Sequence, residues 1–236
     1  MDHAAPAPPP TYDDLASLTE YLLTRTDLSE SDIAEGCEAA KRVGAACVVV
    51  RPSDLDLAAR WIAGSRVTLG TIIDTPYGYS TTAVKIYATS DALRRGAREI
   101  DTTLNTSKMI SRQFQYLESE ILQVAEACHR AGALLKVGLE SAHLNDELKI
   151  VACRIAKRAG ADFIASPEAA DIPLLREYSR GALRIKASDV GGDFSAALAL
   201  REAGCARIAS AHAPALLESW KAKLESAQTA APESAS

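Results

Sequence analysis

The chain has no Cys-x-x-Cys pair, no apolar run of membrane-spanning length, no basic stripe, no glycine-rich dinucleotide fingerprint and no P-loop. Each absence removes a class of function. The five cysteines (Cys37, Cys47, Cys128, Cys153 and Cys205) are an odd, scattered set with no histidine at ligand spacing, which argues against a redox pair or a zinc centre. Thiols within helix and strand patterns act as small hydrophobes and suit a reducing compartment, and no basic segment leading into an apolar one opens the chain. A soluble, cytoplasmic protein is therefore expected. With 26 Lys and Arg against 31 Asp and Glu the net charge is -5, so nothing neutralises phosphates along a nucleic acid. Of the four histidines, His3 lies near the start, His129 in a helical pattern, and His143 and His212 stand alone, so no metal is expected. No cofactor is expected either.

What is present is a repeated unit. The 236 residues suit one eight-stranded α/β barrel, typically roughly 250 residues. Residues 1–12 are Ala/Pro-rich and 226–236 are rich in Ala, Ser and Glu. Both are expected to be disordered tails flanking a single domain over 13–225. Inside it, short β-branched runs predict seven strands, at 45–50, 66–73, 99–105, 134–140, 162–166, 184–188 and 207–210. Helical patterns fill the intervals at 30–43, 55–63, 82–95, 114–131, 146–159, 172–179, 194–203 and 214–224. Several close on a charged last turn and then glycine, as in Arg42-Val43-Gly44, Arg130-Ala131-Gly132 and Arg158-Ala159-Gly160, with a strand following shortly. Repeated βα units with right-handed crossovers close most simply into a (β/α)8 TIM barrel. A doubly wound open sheet is the alternative, but no glycine-rich phosphate turn follows the first visible strand.

Barrel enzymes carry their working groups at the C-terminal ends of the strands. Asp101 and Lys186 stand out, because each is charged within an otherwise apolar run and burying an isolated charge is costly. Both are expected to face the barrel mouth, with a structural ion pair as the competing explanation. Lys136 follows the same logic, although a lysine near a strand start can snorkel to the lower face. Cys47, Arg51, Asn105, Ser166, Ser188, Asp189, Ser210 and His212 complete the candidate binding set, along with Asp74 and Glu140 as further polar strand-end residues. Nothing in the local sequence activates the Cys47 thiol.

The ordered stretches Asp27 to Lys41, Ser80-Thr81-Thr82-Ala83-Val84-Lys85, Glu99-Ile100-Asp101 with Asn105, Leu134-Leu135-Lys136-Val137, Gly160-Ala161-Asp162-Phe163-Ile164, Ile185-Lys186-Ala187-Ser188 and Glu202-Ala203-Gly204 resemble the deoxyribose-phosphate aldolase family, from about Asp27 to Ser210. The resemblance implies a class I aldolase barrel. In that family a lysine at the end of the sixth strand forms a Schiff base; a second lysine, matched by Lys186, depresses its pKa; and an aspartate, matched by Asp101, relays protons. Here the Schiff-base position is Ala165. The family's Lys-Ala-Ser-Gly-Gly phosphate loop is Lys186-Ala187-Ser188-Asp189-Val190, and its Gly-Thr-Ser-Ser-Gly is Ala209-Ser210-Ala211-His212-Ala213. Arg51 replaces the asparagine usual before Pro-Ser.

Three functions follow. The first is a divergent lyase on a small carbonyl or sugar-like substrate, with Lys186 and Asp101 as the retained catalytic groups. The second is a repurposed barrel enzyme, an isomerase, cyclase or other lyase, that uses the same pair for acid–base chemistry without a Schiff base, on an unphosphorylated substrate. The third is a non-catalytic relative. A small molecule is the partner implied, and a homodimer is the assembly allowed for.

Overall fold

The computed structural model describes residues 11–230. The tail expectations for 1–10 and 231–236 lie outside the described residues. At the edges of the described part, the first helix begins at Tyr12 and the last runs to Ala230, each inside a segment expected to be tail. Trp220 Nε1 donates to the Thr11 carbonyl at 3.2 Å and Tyr12 Oη to that of Val43 at 2.8 Å, so the N-terminal end of the described part is pinned to the body.

The elements are α1 (Tyr12–Ala16), β1 (Thr19–Leu23), α2 (Glu30–Val43), β2 (Cys47–Val50), α3 (Leu55–Ile62), β3 (Thr68–Ile73), α4 (Thr82–Arg94), β4 (Glu99–Thr103), α5 (Thr106–Ile110), α6 (Phe114–Arg130), β5 (Leu134–Gly138), α7 (Asp146–Arg158), β6 (Phe163–Ser166), α8 (Ile172–Ser179), β7 (Arg184–Ala187), α9 (Phe194–Glu202), β8 (Arg207–Ser210) and α10 (Ala213–Ala230). All eight strands are parallel, and β8 pairs with β1 to close the barrel. The TIM barrel is therefore present, and no helix of the described chain is long and apolar enough to cross a membrane.

Local chemistry explains where the elements start and stop. Ser29 Oγ accepts from the Asp32 amide while Asp32 Oδ2 accepts from the Ser29 amide, a reciprocal cap that starts α2 and is worth about 1 kcal/mol. Gly44 ends it at φ 66°, a conformation that costs a side-chain-bearing residue strain. The strand period of two then sorts the chain. Val48 and Val50 join Ile33, Cys37, Leu55 and Ala58 in the layer between barrel and helices, while Cys47 and Val49 point inward against Gly70.

The strand that sequence reasoning missed is β1. Its residues Thr19-Glu20-Tyr21-Leu22-Leu23 break the apolar run with a charge at the second position.

Candidate active site

A cavity of about 500 Å³ opens at the C-terminal ends of the strands. Asp101 and Lys186 both line it, as expected, together with Ala165, Ser188 and Asp189. Ala165 is the register partner of Lys186 across the β6–β7 ladder, so its methyl faces the cavity beside the lysine.

Beneath this floor lies a buried ion network. Lys186 Nζ is 2.6 Å from Glu20 Oε2 and 2.9 Å from Asp101 Oδ2. Lys136 Nζ is 2.5 Å from Glu20 Oε1 and 2.5 Å from Glu99 Oε2. Arg207 completes the set, 3.3 Å from Glu20 and 3.1 Å from Glu99. Three carboxylates thus meet three cations, and formal charge balances. Burial alone would raise the Glu20 carboxyl, but the Lys136 and Lys186 ammonium groups more than offset it and hold it down at about 2. Burial would likewise lower Lys136; Asp101 and Glu20 outweigh it and push the group well above the ordinary lysine value. Below, Phe163 carries the Arg184 guanidinium 4.0 Å from its ring centroid, with Lys136 and Arg207 at 5.9 and 5.8 Å.

Several expected site residues lie elsewhere. Lys136 is fully buried under the cavity and does not line it, because its partners Glu20 and Glu99 draw the ammonium down into the barrel. Cys47 is fully buried beside Gly70, and burial, then Glu99, raises its thiol well above the ordinary value. It is core. Arg51 pairs with Asp54 at 2.5 Å and donates to the carbonyls of Arg25 and Leu28, fastening the β1–α2 loop rather than facing the cavity. Asn105 accepts from the Lys108 amide at 3.1 Å and caps α5, beside a smaller neighbouring cavity. Ser166 lies behind the wall in a chain from Ser141 Oγ (2.9 Å) through Asp171 (2.8 Å) to Lys149 (2.6 Å from Asp171). Ser210 donates to the Gly191 carbonyl and accepts from the His212 amide, and His212 is exposed outside the cavity.

Sequence reasoning overlooked Glu20, Glu99 and Arg207, which hold the floor, and Glu168, which lines the cavity. Glu20 carries the same signal as Asp101, a charge inside a strand, but the strand itself was not recognised.

The mouth is shaped by residues 74–80. Asp74 accepts from the Ser80 amide and hydroxyl, both at 2.8 Å. The buried Lys85 ammonium donates to the carbonyls of Gly78 (2.9 Å) and Thr103 (3.2 Å) and to Glu120 (2.8 Å). At Gly78, φ is 67° and a Cβ would fall 2.5 Å from the Thr103 carbonyl oxygen, so only glycine lets the loop press this closely on β4. The Asp74 candidate is thus a loop fastener.

Two loop amides where phosphate donors were sought are already engaged: Ser188 N donates to the Ser166 carbonyl and Val190 N to that of Ala209, both at 2.9 Å. Asp189 between them holds φ 54°, a left-handed conformation that glycine adopts without strain. The backbone there suits a glycine, while the Asp189 side chain adds a negative charge to the cavity.

No family model matches the chain. It is 34% identical over 220 residues to the deoxyribose-phosphate aldolase of Methanothermobacter thermautotrophicus, covering 89% of this chain and 97% of that protein. To the enzyme of the same name from Caldanaerobacter subterraneus it is 33% identical over 216 residues, with 88% and 94% covered. Among solved structures it is similar to QR15, an aldolase, with a TM-score of 0.85 at 26% identity over 90% of this chain and 98% of that one. The deoxyribose phosphate aldolase of Aeropyrum pernix, described as having a unique tetrameric structure, shares the fold with a TM-score of 0.83 at 23% identity, covering 90% of this chain and 93% of that one.

Proposed function

The chain belongs to the deoxyribose-phosphate aldolase family, and from that membership we propose that it is an aldolase-type lyase acting on a small, unphosphorylated carbonyl substrate, with Lys186 and Asp101 as an acid–base pair and no Schiff base. One observation carries the reading: Lys186 Nζ sits between Glu20 and Asp101 at the cavity floor, whereas Ala165, its register partner, offers no amine. A nucleophilic lysine needs a free electron pair, favoured by a neighbouring uncompensated cation. Here the neighbours within hydrogen-bonding distance are carboxylates.

In the cleavage direction, Asp101 accepts the proton of the substrate's β-hydroxyl. The carbon–carbon bond breaks, its electron pair moves onto the carbonyl, and Lys186 donates a proton to that oxygen, giving an aldehyde and an enol. Return of the enol proton to Lys186, with delivery of the Asp101 proton to carbon, completes the turnover. The engaged amides of Ser188 and Val190 and the charge of Asp189 support an unphosphorylated substrate. Five buried free thiols are in keeping with a cytoplasmic setting, and a homodimer is the assembly we propose.

Borohydride treatment in the presence of acetaldehyde, read by intact mass, tests the mechanism. On this reading the wild type traps no adduct, yet cleaves members of a panel of unphosphorylated β-hydroxy aldehydes and ketones. A trapped adduct mapped to Lys186 moves the chemistry to an imine at that residue, and turnover of no panel member in a folded protein removes the lyase reading.

A further inference from the structure

Beside β5 and β6 a second polar chain runs from the interior to the cavity wall, and the proposed acid–base pair does not use it. The Lys149 ammonium donates to Asp171 Oδ1 at 2.6 Å, Asp171 Oδ2 accepts from the Ser166 hydroxyl at 2.8 Å, and Ser166 Oγ lies 2.9 Å from Ser141 Oγ. All four residues are buried. Of the four, Ser141 alone lines the cavity, in the short turn that follows β5.

Counting protons gives this chain a direction. A lysine ammonium can only donate, and an ionised carboxylate can only accept. Burial alone would raise the Asp171 carboxyl, but hydrogen bonds from Lys149, Ser141 and Ser166 outweigh it and hold the group below its ordinary value, so it is an anion at neutral pH. The Ser166 proton therefore goes to Asp171, because the other acceptor in reach, the Glu168 carbonyl, is 3.5 Å away. Ser166 Oγ accepts from the Glu168 amide at 3.0 Å, and its remaining lone pair faces Ser141. The Ser141 proton is thus committed to the interior. Among the described residues no other donor reaches Ser141 Oγ, so an acceptor that is 2% exposed is left unfilled at the cavity. A buried acceptor without a donor is costly, and a ligand that supplies the donor relieves that cost.

We infer that Ser141 is a specificity-determining residue that accepts a hydrogen bond from a second hydroxyl of the substrate, so that the cavity takes dihydroxylated carbonyl compounds in preference to their deoxy analogues. The inference rests on the lyase reading, which assigns the carbonyl to Lys186 and the β-hydroxyl to Asp101, and it adds a further group that the substrate must carry. A fixed acceptor with no proton to offer separates a hydroxyl from an ether oxygen at the same position, because the ether has nothing to donate.

Three ketones test this by calorimetry and ligand-observed NMR on the full chain: 4,5-dihydroxypentan-2-one, 4-hydroxypentan-2-one, which lacks the second hydroxyl, and 4-hydroxy-5-methoxypentan-2-one, which keeps the oxygen without its proton. The dihydroxy ketone is expected to bind about tenfold more tightly than either of the others, the ratio for one net hydrogen bond to a buried acceptor. Ser141→Ala removes that preference. Lys149→Met/Asp171→Asn takes out both charges and with them the orientation of the chain, so Ser141 can donate as well as accept and the methoxy ketone gains on the dihydroxy one. This second variant decides the matter should Ser141→Ala fail to fold. A purely structural Ser141 would leave the ratio unmoved. Equal binding of the three ketones by the wild type, a ratio that either folded variant leaves unmoved, or no binding of any ketone at tens of millimolar overturns the inference. Failure of the lyase reading looks different: the dihydroxy ketone is preferred in binding, yet none of the three is cleaved.

Discussion

Lys136 and Lys186 grip opposite oxygens of one carboxylate: Glu20 Oε1 lies 2.5 Å from the first ammonium and Oε2 lies 2.6 Å from the second. Glu20 is therefore the hinge between a buried half and a cavity-facing half of the network. On one side Lys136, Glu99 and Arg207 close the barrel interior; on the other Lys186 and Asp101 face the cavity. A buried pair of charges is a weak source of stability, but removing one member leaves its partners uncompensated in a low dielectric.

Glu20→Gln is accordingly expected to destabilise the protein by about 3 kcal/mol at pH 7, and its effect is pH-dependent. The folded carboxyl is held at about 2 against an ordinary value of 4.5. A depressed pKa contributes stability that is fully present above 4.5 and is lost as pH falls toward 2. The gap in denaturant midpoint between wild type and Glu20→Gln should thus close between about pH 5 and pH 2. A gap that stays constant through this window would show that Glu20 does not carry a coupled charge.

The two lysines are expected to separate in mutagenesis. Lys186→Met and Asp101→Asn should each lower turnover by roughly 10²–10⁴-fold, the range for loss of a general acid or base. Lys136→Met should destabilise the fold by about 3–5 kcal/mol, as loss of Lys186 from the same network also does, but the fraction still folded binds cavity ligands with unchanged affinity, since Lys136 does not line the cavity. Calorimetry alongside thermal melts distinguishes the two outcomes. Unaltered stability in Lys136→Met would contradict the network.

Lys85 governs the mouth from outside it. Its ammonium, 1% exposed, binds Gly78 and Thr103 carbonyls and Glu120. Lys85→Met leaves Glu120, itself 2% exposed, with a buried uncompensated charge. The expected cost is about 3–5 kcal/mol, and hydrogen exchange should quicken selectively over residues 74–80. The double change Lys85→Met/Glu120→Gln should recover only part of the loss, because it relieves Glu120 but leaves Asp74, 3.5 Å from the Lys85 ammonium, without its cation.

Fold and site were legible to different depths. Seven strands and eight helices could be read because β-branched runs and Gly-terminated helices repeat, and Gly44, Gly96, Gly132, Gly160 and Gly204 all hold positive φ. Strand β1 escaped because Glu20 interrupts its apolar pattern, and the charge that hid the strand is the one the site is built around. Asp101 and Lys186 were found by reasoning that a charge in an apolar strand must meet a partner. For Lys136 the same reasoning gave the strand and the inward direction but not the depth, since depth depends on Glu20 and Glu99, which reach it from other strands. Arg51, Asn105, Ser166, Ser210 and His212 were misplaced for a simpler reason: a polar residue after a strand can cap a helix or fasten a loop as readily as it can touch a ligand, and only tertiary partners decide.

Ala165, where the family resemblance implies the Schiff-base lysine, offers the sharpest test of the proposed mechanism. The floor network is neutral, with Glu20, Glu99 and Asp101 set against Lys136, Lys186 and Arg207. Ala165→Lys adds a fourth cation directly opposite Lys186 in the ladder, without a fourth carboxylate. Repulsion between the two ammonium groups lowers the pKa of one of them, opposed by the carboxylates Glu140, Glu168 and Asp189 of the cavity wall, and where repulsion wins the amine that loses its proton is a nucleophile near neutral pH. Ala165→Lys is therefore expected to trap acetaldehyde with borohydride where the wild type does not, with the adduct mapping to position 165 by peptide mass. Cleavage of 2-deoxyribose 5-phosphate is expected to be negligible in the wild type and to stay negligible in the single variant because Asp189 still opposes the phosphate. It should emerge only when Asp189→Gly is added, a change the left-handed backbone at φ 54° accepts without strain. A folded Ala165→Lys protein that traps no aldehyde would mean that the carboxylates around Lys186 absorb the added charge, and that the floor has been rebuilt for proton transfer beyond the reach of one substitution.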